Sequence, residues 1–167
     1  MSATADPILE HPSVRRVREA LRNLGAGDRV IVLSDSARTA QQAADALGCP
    51  VGAIVKSLVF AHEGKPVMAL VAGDRQCDLA ALGQALGLGG TPKRADADLV
   101  RQATGFAIGG VSPLGHLERL PIAVDASLKR FETLHAAAGH PHAVFPLSYR
   151  ELLDWTGGKE AVGISQG

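Results

Sequence analysis

Lys56 stands inside the apolar run Ala53-Ile54-Val55-Lys56-Ser57-Leu58-Val59-Phe60. A charged side chain in such a run is costly unless it reaches a partner or a solvent-filled pocket. Two readings are open: a cation aimed at a phosphate or carbonyl oxygen, or a lysine that snorkels from a strand edge. A second group is Thr104-Gly105-Phe106-Ala107-Ile108-Gly109-Gly110-Val111-Ser112-Pro113-Leu114-Gly115. Its glycines let backbone amides converge on an oxygen, as in an anion nest or oxyanion hole, although a Gly-Pro-rich turn also serves structure alone. No Gly-Lys-Ser/Thr follows, which excludes a P-loop, and the spacing is not that of a dinucleotide fingerprint. Ser112 lies between Val111 and Pro113 without a Gly-x-Ser-x-Gly elbow, so a serine triad has no support. The third group is Gly139-His140-Pro141-His142, whose histidines share a side if the segment is extended. With no third ligand at metal spacing, no metal site is expected. The histidines then line a pocket or lie exposed, and His142 is a candidate hydrogen-bond donor or general base.

These groups need elements to hold them. Val14, Val17, Leu21 and Leu24 recur at three- and four-residue intervals, predicting a helix from Ser13, its expected N-cap, to Leu24. Val30–Leu33 reads as a strand, and Ser34, Asp35 and Ser36 are expected to cap a helix over about residues 39–47. Segments 53–60 and 66–72 read as two strands joined by a His-Glu-Gly-Lys turn. Asp78 opens a helix through about Leu86, and Asp96 or Asp98 opens another ending near Gln102. Residues 122–124 and 143–145 read as strands, 131–137 as strand or helix, and Ser148–Trp155 as a helix closed by Gly157 and Gly158. Hairpins interspersed with helices predict an α/β chain of mixed, α+β-like character, with helices covering a mixed sheet.

The chain has 167 residues, 46% apolar and 20% charged, which suits one globular domain. Residues 13–167 are expected to form it, behind a flexible extension at 1–12. No apolar run approaches the roughly 20 residues of a membrane span, and the first residues carry no basic, apolar leader pattern, so a soluble cytoplasmic protein is expected. Lys plus Arg and Asp plus Glu both total 17. That balance excludes a broadly basic nucleic-acid binder but leaves room for a pocket gripping one RNA end. Cys49 and Cys77 have neither CxxC nor zinc spacing and read as small buried apolar residues.

Lys56-Ser57 in the first strand of a hairpin, followed by Thr-Gly-Phe-Ala-Ile-Gly-Gly-Val-Ser-Pro-Leu-Gly-His from Thr104, resembles the YbaK/ProX family of aminoacyl-tRNA deacylases. The family's members include the editing domain inserted in bacterial prolyl-tRNA synthetase. The resemblance runs over about residues 13–164. It implies a barrel-like mixed sheet surrounded by helices, and hydrolysis of the ester of a mischarged tRNA, typically tRNA for proline bearing a small residue such as alanine or cysteine. It also implies Lys56, Gly109 and Gly110 as the catalytic set, with Ser57, Val111, Ser112, Pro113, Gly139, His140 and His142 binding substrate. No cofactor and no covalent nucleophile are implied; water or a substrate group attacks. The implied partners are the aminoacylated terminal adenosine of tRNA and prolyl-tRNA synthetase. Val144 stands where the cysteine-specific branch has an acidic residue, which argues against a cysteine preference. A non-catalytic tRNA- or synthetase-binding module of the same fold is the alternative, and a general esterase the third.

Overall fold

The computed structural model describes residues 6–167. Its helices and strands follow in the order α1 (Pro12–Asn23), β1 (Ile31–Val32), α2 (Ala40–Leu47), β2 (Ile54–His62), β3 (Lys65–Ala72), β4 (Gln76–Cys77), α3 (Leu79–Ala85), β5 (Lys93–Arg94), α4 (Ala97–Thr104), β6 (Ile122–Asp125), β7 (Leu134–His140), β8 (Ala143–Leu147), α5 (Tyr149–Thr156), β9 (Lys159–Ala161) and β10 (Ser165–Gln166). Residues 7–10, inside the segment read as an extension, form one 3-10 turn, and Ile8 packs against the core.

Side-chain caps fix where the helices start. His11, not Ser13, caps α1: its Nδ1 accepts the Ser13 amide at 3.2 Å, and Pro12 takes the first helical position, where no amide is needed. The cap of α2 is Thr39 and not the Ser34–Ser36 cluster, because Thr39 has Gln42 three residues on and forms a reciprocal capping box with it. Asp78, Asp96 and Ser148 cap α3, α4 and α5, and α4 runs two residues past Gln102 to Thr104. Segment 131–137 resolves as strand, with β7 starting at Leu134 and alternating buried and half-buried residues.

The main sheet has the order β1-β8-β7-β2-β3-β6-β9, with β5 added to β2, and β4 pairs β10 apart from it. β2 is antiparallel to β3 and β5 but parallel to β7, and β3 and β9 are both parallel to β6, so the sheet is mixed. One face carries Val14, Val17 and Leu21 of α1 against Met68, Leu70 and Phe145. The opposite face packs Ala69 and Val71 against Leu82 of α3 and Ile164. A third cluster joins Ala43 and Ala44 of α2 to Ile54.

One buried carboxylate ties the strand ends together. Asp125, 2% exposed, accepts the Ala72 amide at 3.3 Å, the Ser127 amide at 3.0 Å, and the hydroxyls of Ser127 and Ser165 at 2.7 and 2.8 Å. These bonds join the ends of β3 and β6 to β10. Removing the acceptor strands two buried donors, the Ala72 amide and the Ser165 hydroxyl, and two half-buried ones on Ser127, so Asp125→Ala is expected to lose about 2–4 kcal/mol of stability. Urea denaturation measures this, and a loss within about 0.5 kcal/mol, the scale of an ordinary surface substitution, would contradict it.

Candidate active site

β2 is paired with β3 along nearly its whole length, but on its other edge only its two ends have partners. Ile54 and Val55 pair with His135 and Ala136 of β7, and Phe60 and Ala61 pair with Arg94 and Lys93 of β5. Between them the sheet opens into a cavity of about 460 Å³. α2 and the turn before it supply one wall through Arg38, Thr39, Ala40 and Ala43. Val100, Ile108, Gly109 and Val111 supply another, and Ala136, Ala137, Ala143 and Val144 of β7 and β8 close the end.

The wall contains Lys56, Arg38, Arg94 and His135 and no Asp or Glu. A chain without net charge thus presents a locally cationic cavity. Its apolar lining lowers the local dielectric and strengthens attraction for an anion. Lys56 is half-buried, and its Nζ donates to the Arg75 carbonyl in the turn after β3. Burial pushes its pKa below the usual lysine range, while the negative charges of Asp74 and Asp125 act in the opposite direction. Asp74 is itself held by a two-pronged ion pair with Arg130, at 2.8 and 2.9 Å, which keeps its carboxyl below the usual range. Burial pushes the nearby Cys77 thiol up to about 11, with Asp78 and Asp125 adding to the shift and Lys56 opposing it, so the thiol is protonated at neutral pH.

The glycine-rich loop meets the cavity at its first turn. Ala107 to Gly110 closes through Gly110 N–H to Ala107 C=O at 3.0 Å, with Gly109 at φ +98, a conformation that disfavours a side chain. The Gly110 amide is therefore committed to the turn. The amides of Gly109 and Val111 make no hydrogen bond among the described residues, and both residues line the cavity. Gly110 is instead a packing point: an added Cβ would come within 2.9 Å of the His140 nitrogen. Ser112 and Pro113 are buried in the loop, where Ser112 Oγ accepts the Leu114 amide at 3.3 Å and its carbonyl accepts from His116 Nε2 at 2.7 Å.

Of the residues singled out from sequence, Lys56, Ser57, Gly109 and Val111 come together on the cavity wall. Gly139, His140 and His142 stand behind it. Gly139 packs on the Ser13 carbonyl and Phe106, and β7 ends at His140, so Pro141 and His142 lie in a turn and not in an extended strand. The rings of His11, His140 and His142 still approach, with centroids 5.0 and 5.6 Å apart. Each is anchored through Nδ1: His11 and His140 accept the amides of Ser13 and His142, and His142 donates to the Leu33 carbonyl at 2.9 Å. Arg38, Arg94 and His135 were not singled out. Arg38 and Arg94 sit in a turn and a two-residue strand, where no periodicity marks them. His135 is half-buried with an unpartnered Nδ1, and burial pushes its pKa below the usual histidine range.

The model of the aminoacyl-tRNA editing domain matches residues 34–155, a span that holds every residue of the cavity wall. The chain belongs to that family. The editing-domain chain is 32% identical over 153 residues to the uncharacterized protein YwhH of Bacillus subtilis, covering 91% of this chain and 96% of that one. It is 36% identical over 98 residues to the proline--tRNA ligase of Thermosipho africanus, covering 59% of this chain but 17% of the ligase. A solved structure described as a candidate trans-editing enzyme for prolyl tRNA synthetase superposes with a TM-score of 0.86 at 42% identity, covering 94% of this chain and 99% of that one. No helix among the described residues of the editing domain is long and apolar enough to cross a membrane.

Because burial disfavours the ammonium form, Lys56 is expected to lose its proton at a lower pH than the other lysines. A pH titration of lysine side-chain NMR signals, with Lys56→Arg to assign the resonance, checks this. A Lys56 signal titrating with the exposed lysines would contradict the placement.

Proposed function

We propose that this editing domain is a trans-editing hydrolase, cleaving the ester of a mischarged aminoacyl-tRNA, most directly tRNA for proline carrying a small non-cognate residue such as alanine or cysteine. The observation that carries the reading is the acid-free cavity beside β2, lined by a half-buried lysine and by two loop residues, Gly109 and Val111, whose amides are uncommitted. An aminoacylated tRNA end brings phosphates, a ribose and an ester carbonyl, and each has a counterpart here. Arg38 and Arg94 are the exposed cations for the phosphates, and Lys56 is the inner one.

In the reaction a water oxygen bonds to the ester carbonyl carbon, the carbon–ribose oxygen bond breaks, and the ribose oxygen takes the proton. The amides of Gly109 and Val111 stabilise the oxyanion in between, and Lys56 holds the substrate through an oxygen. Ser112, buried and bonded within its loop, supplies no nucleophile. The alanine-rich end wall leaves space for a small side chain, and apolar Val144 offers no hydrogen-bond acceptor for a thiol, so alanine is favoured over cysteine. The reaction takes place where charged tRNA is made, in the cytoplasm. Its partners are the tRNA acceptor end and prolyl-tRNA synthetase, which supplies the mischarged tRNA.

Release of amino acid from tRNA for proline charged separately with alanine, cysteine, serine, 2-aminobutyrate or proline tests the reading. Selective loss of a small mischarged residue, with at least about a hundredfold lower rate in a folded Lys56→Ala variant, is expected. Hydrolysis of none of the five by the folded protein would overturn the enzymatic reading and leave a binding module.

A further inference from the structure

The hairpin register decides which way each backbone group of β2 points. Glu63 and Gly64, at φ 52 and 76, form the two-residue turn with both φ positive, in which the flanking pair His62 and Lys65 exchange hydrogen bonds. Alternation then sends the amides and carbonyls of Phe60, Leu58 and Lys56 toward β3, and those of Ala61, Val59, Ser57 and Val55 toward the opposite edge. Met68, the partner of Val59, donates away from β2 to the Pro121 carbonyl, as this alternation requires. On the outward edge β5 occupies Ala61 and the Val59 carbonyl, and β7 occupies Val55. The Ser57 amide and carbonyl and the Val59 amide have no hydrogen-bond partner among the described residues, and both residues line the cavity. Ser57 Oγ is buried and unpartnered as well.

Main-chain groups with no protein partner beside a cavity are free to bond a ligand, so an edge of this kind suits a ligand that completes it. The carbonyl of one residue and the amide of the next but one lie side by side on a strand edge, acceptor beside donor. Their complement is a donor and an acceptor in one plane. The opening is also a slot in the plane of the sheet, with Ala40 and Ala43 on the Ile54 side and Val100 and Val111 on the Val55 side, which suits a flat ring.

We infer that this open edge of β2 reads the Watson–Crick edge of a purine, the terminal adenine of the tRNA: the Ser57 carbonyl accepts from the 6-amino group and the Val59 amide donates to N1. The assignment rests on the tRNA-end reading above and adds the base to it. It also explains a selectivity. A 6-oxo purine sets its oxygen against the Ser57 carbonyl and its N1–H against the Val59 amide, so both contacts become repulsive.

Binding of short acceptor-stem RNAs that carry alanine through a stable 3′-amide tests this without requiring hydrolysis. The last nucleoside is adenosine, 7-deazaadenosine, 1-deazaadenosine or inosine. Equal affinity for the first two is expected, with at least about a tenfold loss for 1-deazaadenosine and a larger one for inosine. Equal binding of all four, or loss with 7-deazaadenosine but not 1-deazaadenosine, would overturn the inference while leaving the deacylase reading intact. Failure of every RNA to bind would overturn both. Discrimination among the RNAs by a protein that hydrolyses no charged tRNA would support the base contact and refute the enzyme.

Discussion

Strand β2 must pair with β3 along its length while its opposite edge is shared between β7, which arrives parallel at one end, and β5, which arrives antiparallel at the other. Those two partners cannot meet in the middle, because one belongs to the β7-β8 hairpin and the other is a two-residue strand ahead of α4. The sheet therefore splits at residues 57–59, and the split is the cavity. Everything else at the site follows from this opening: Lys56 flanks it, Ser57 and Val59 face it with unspent main-chain groups, and α2 and the Gly109 turn cover its two sides.

Charge is distributed to the same end. The whole chain carries no net charge, yet the cavity gathers cations and excludes carboxylates. The acids nearest Lys56 are spoken for: Asp74 by Arg130, and Asp125 by amides and hydroxyls. Lys56 is thus held by the Arg75 carbonyl and not by a salt bridge, which leaves its charge available to a ligand anion. A salt bridge would have neutralised this half-buried cation on the wall.

Much of this was legible in the sequence because local rules decide it. The β2-β3 hairpin follows from apolar runs on either side of Glu63-Gly64, the helices from caps and periodicity, and Lys56 from being a charge in an apolar strand. The caps at His11 and Thr39 escaped because several polar residues compete near each helix start and only the backbone path selects one. The site was legible in its chain-local parts, Lys56-Ser57 and the loop around Gly109. It was illegible where it depends on which strand lies beside which. The register of β2 against β7 brings in His135, and the turn before α2 brings in Arg38, with no sequence signal for either. The turn at Pro141 and His142 also breaks the extended segment that alternation assumes, and neither His140 nor His142 lines the cavity.

The most direct measurement is amide NMR of the protein titrated with 3′-alanylamino-3′-deoxyadenosine, a stable form of an aminoacylated tRNA terminus. The account predicts chemical-shift changes centred on Ser57, Val59, Gly109 and Val111. Changes centred instead on the His11, His140 and His142 cluster, or on the shallow groove beside Arg119 and Thr156, would contradict it.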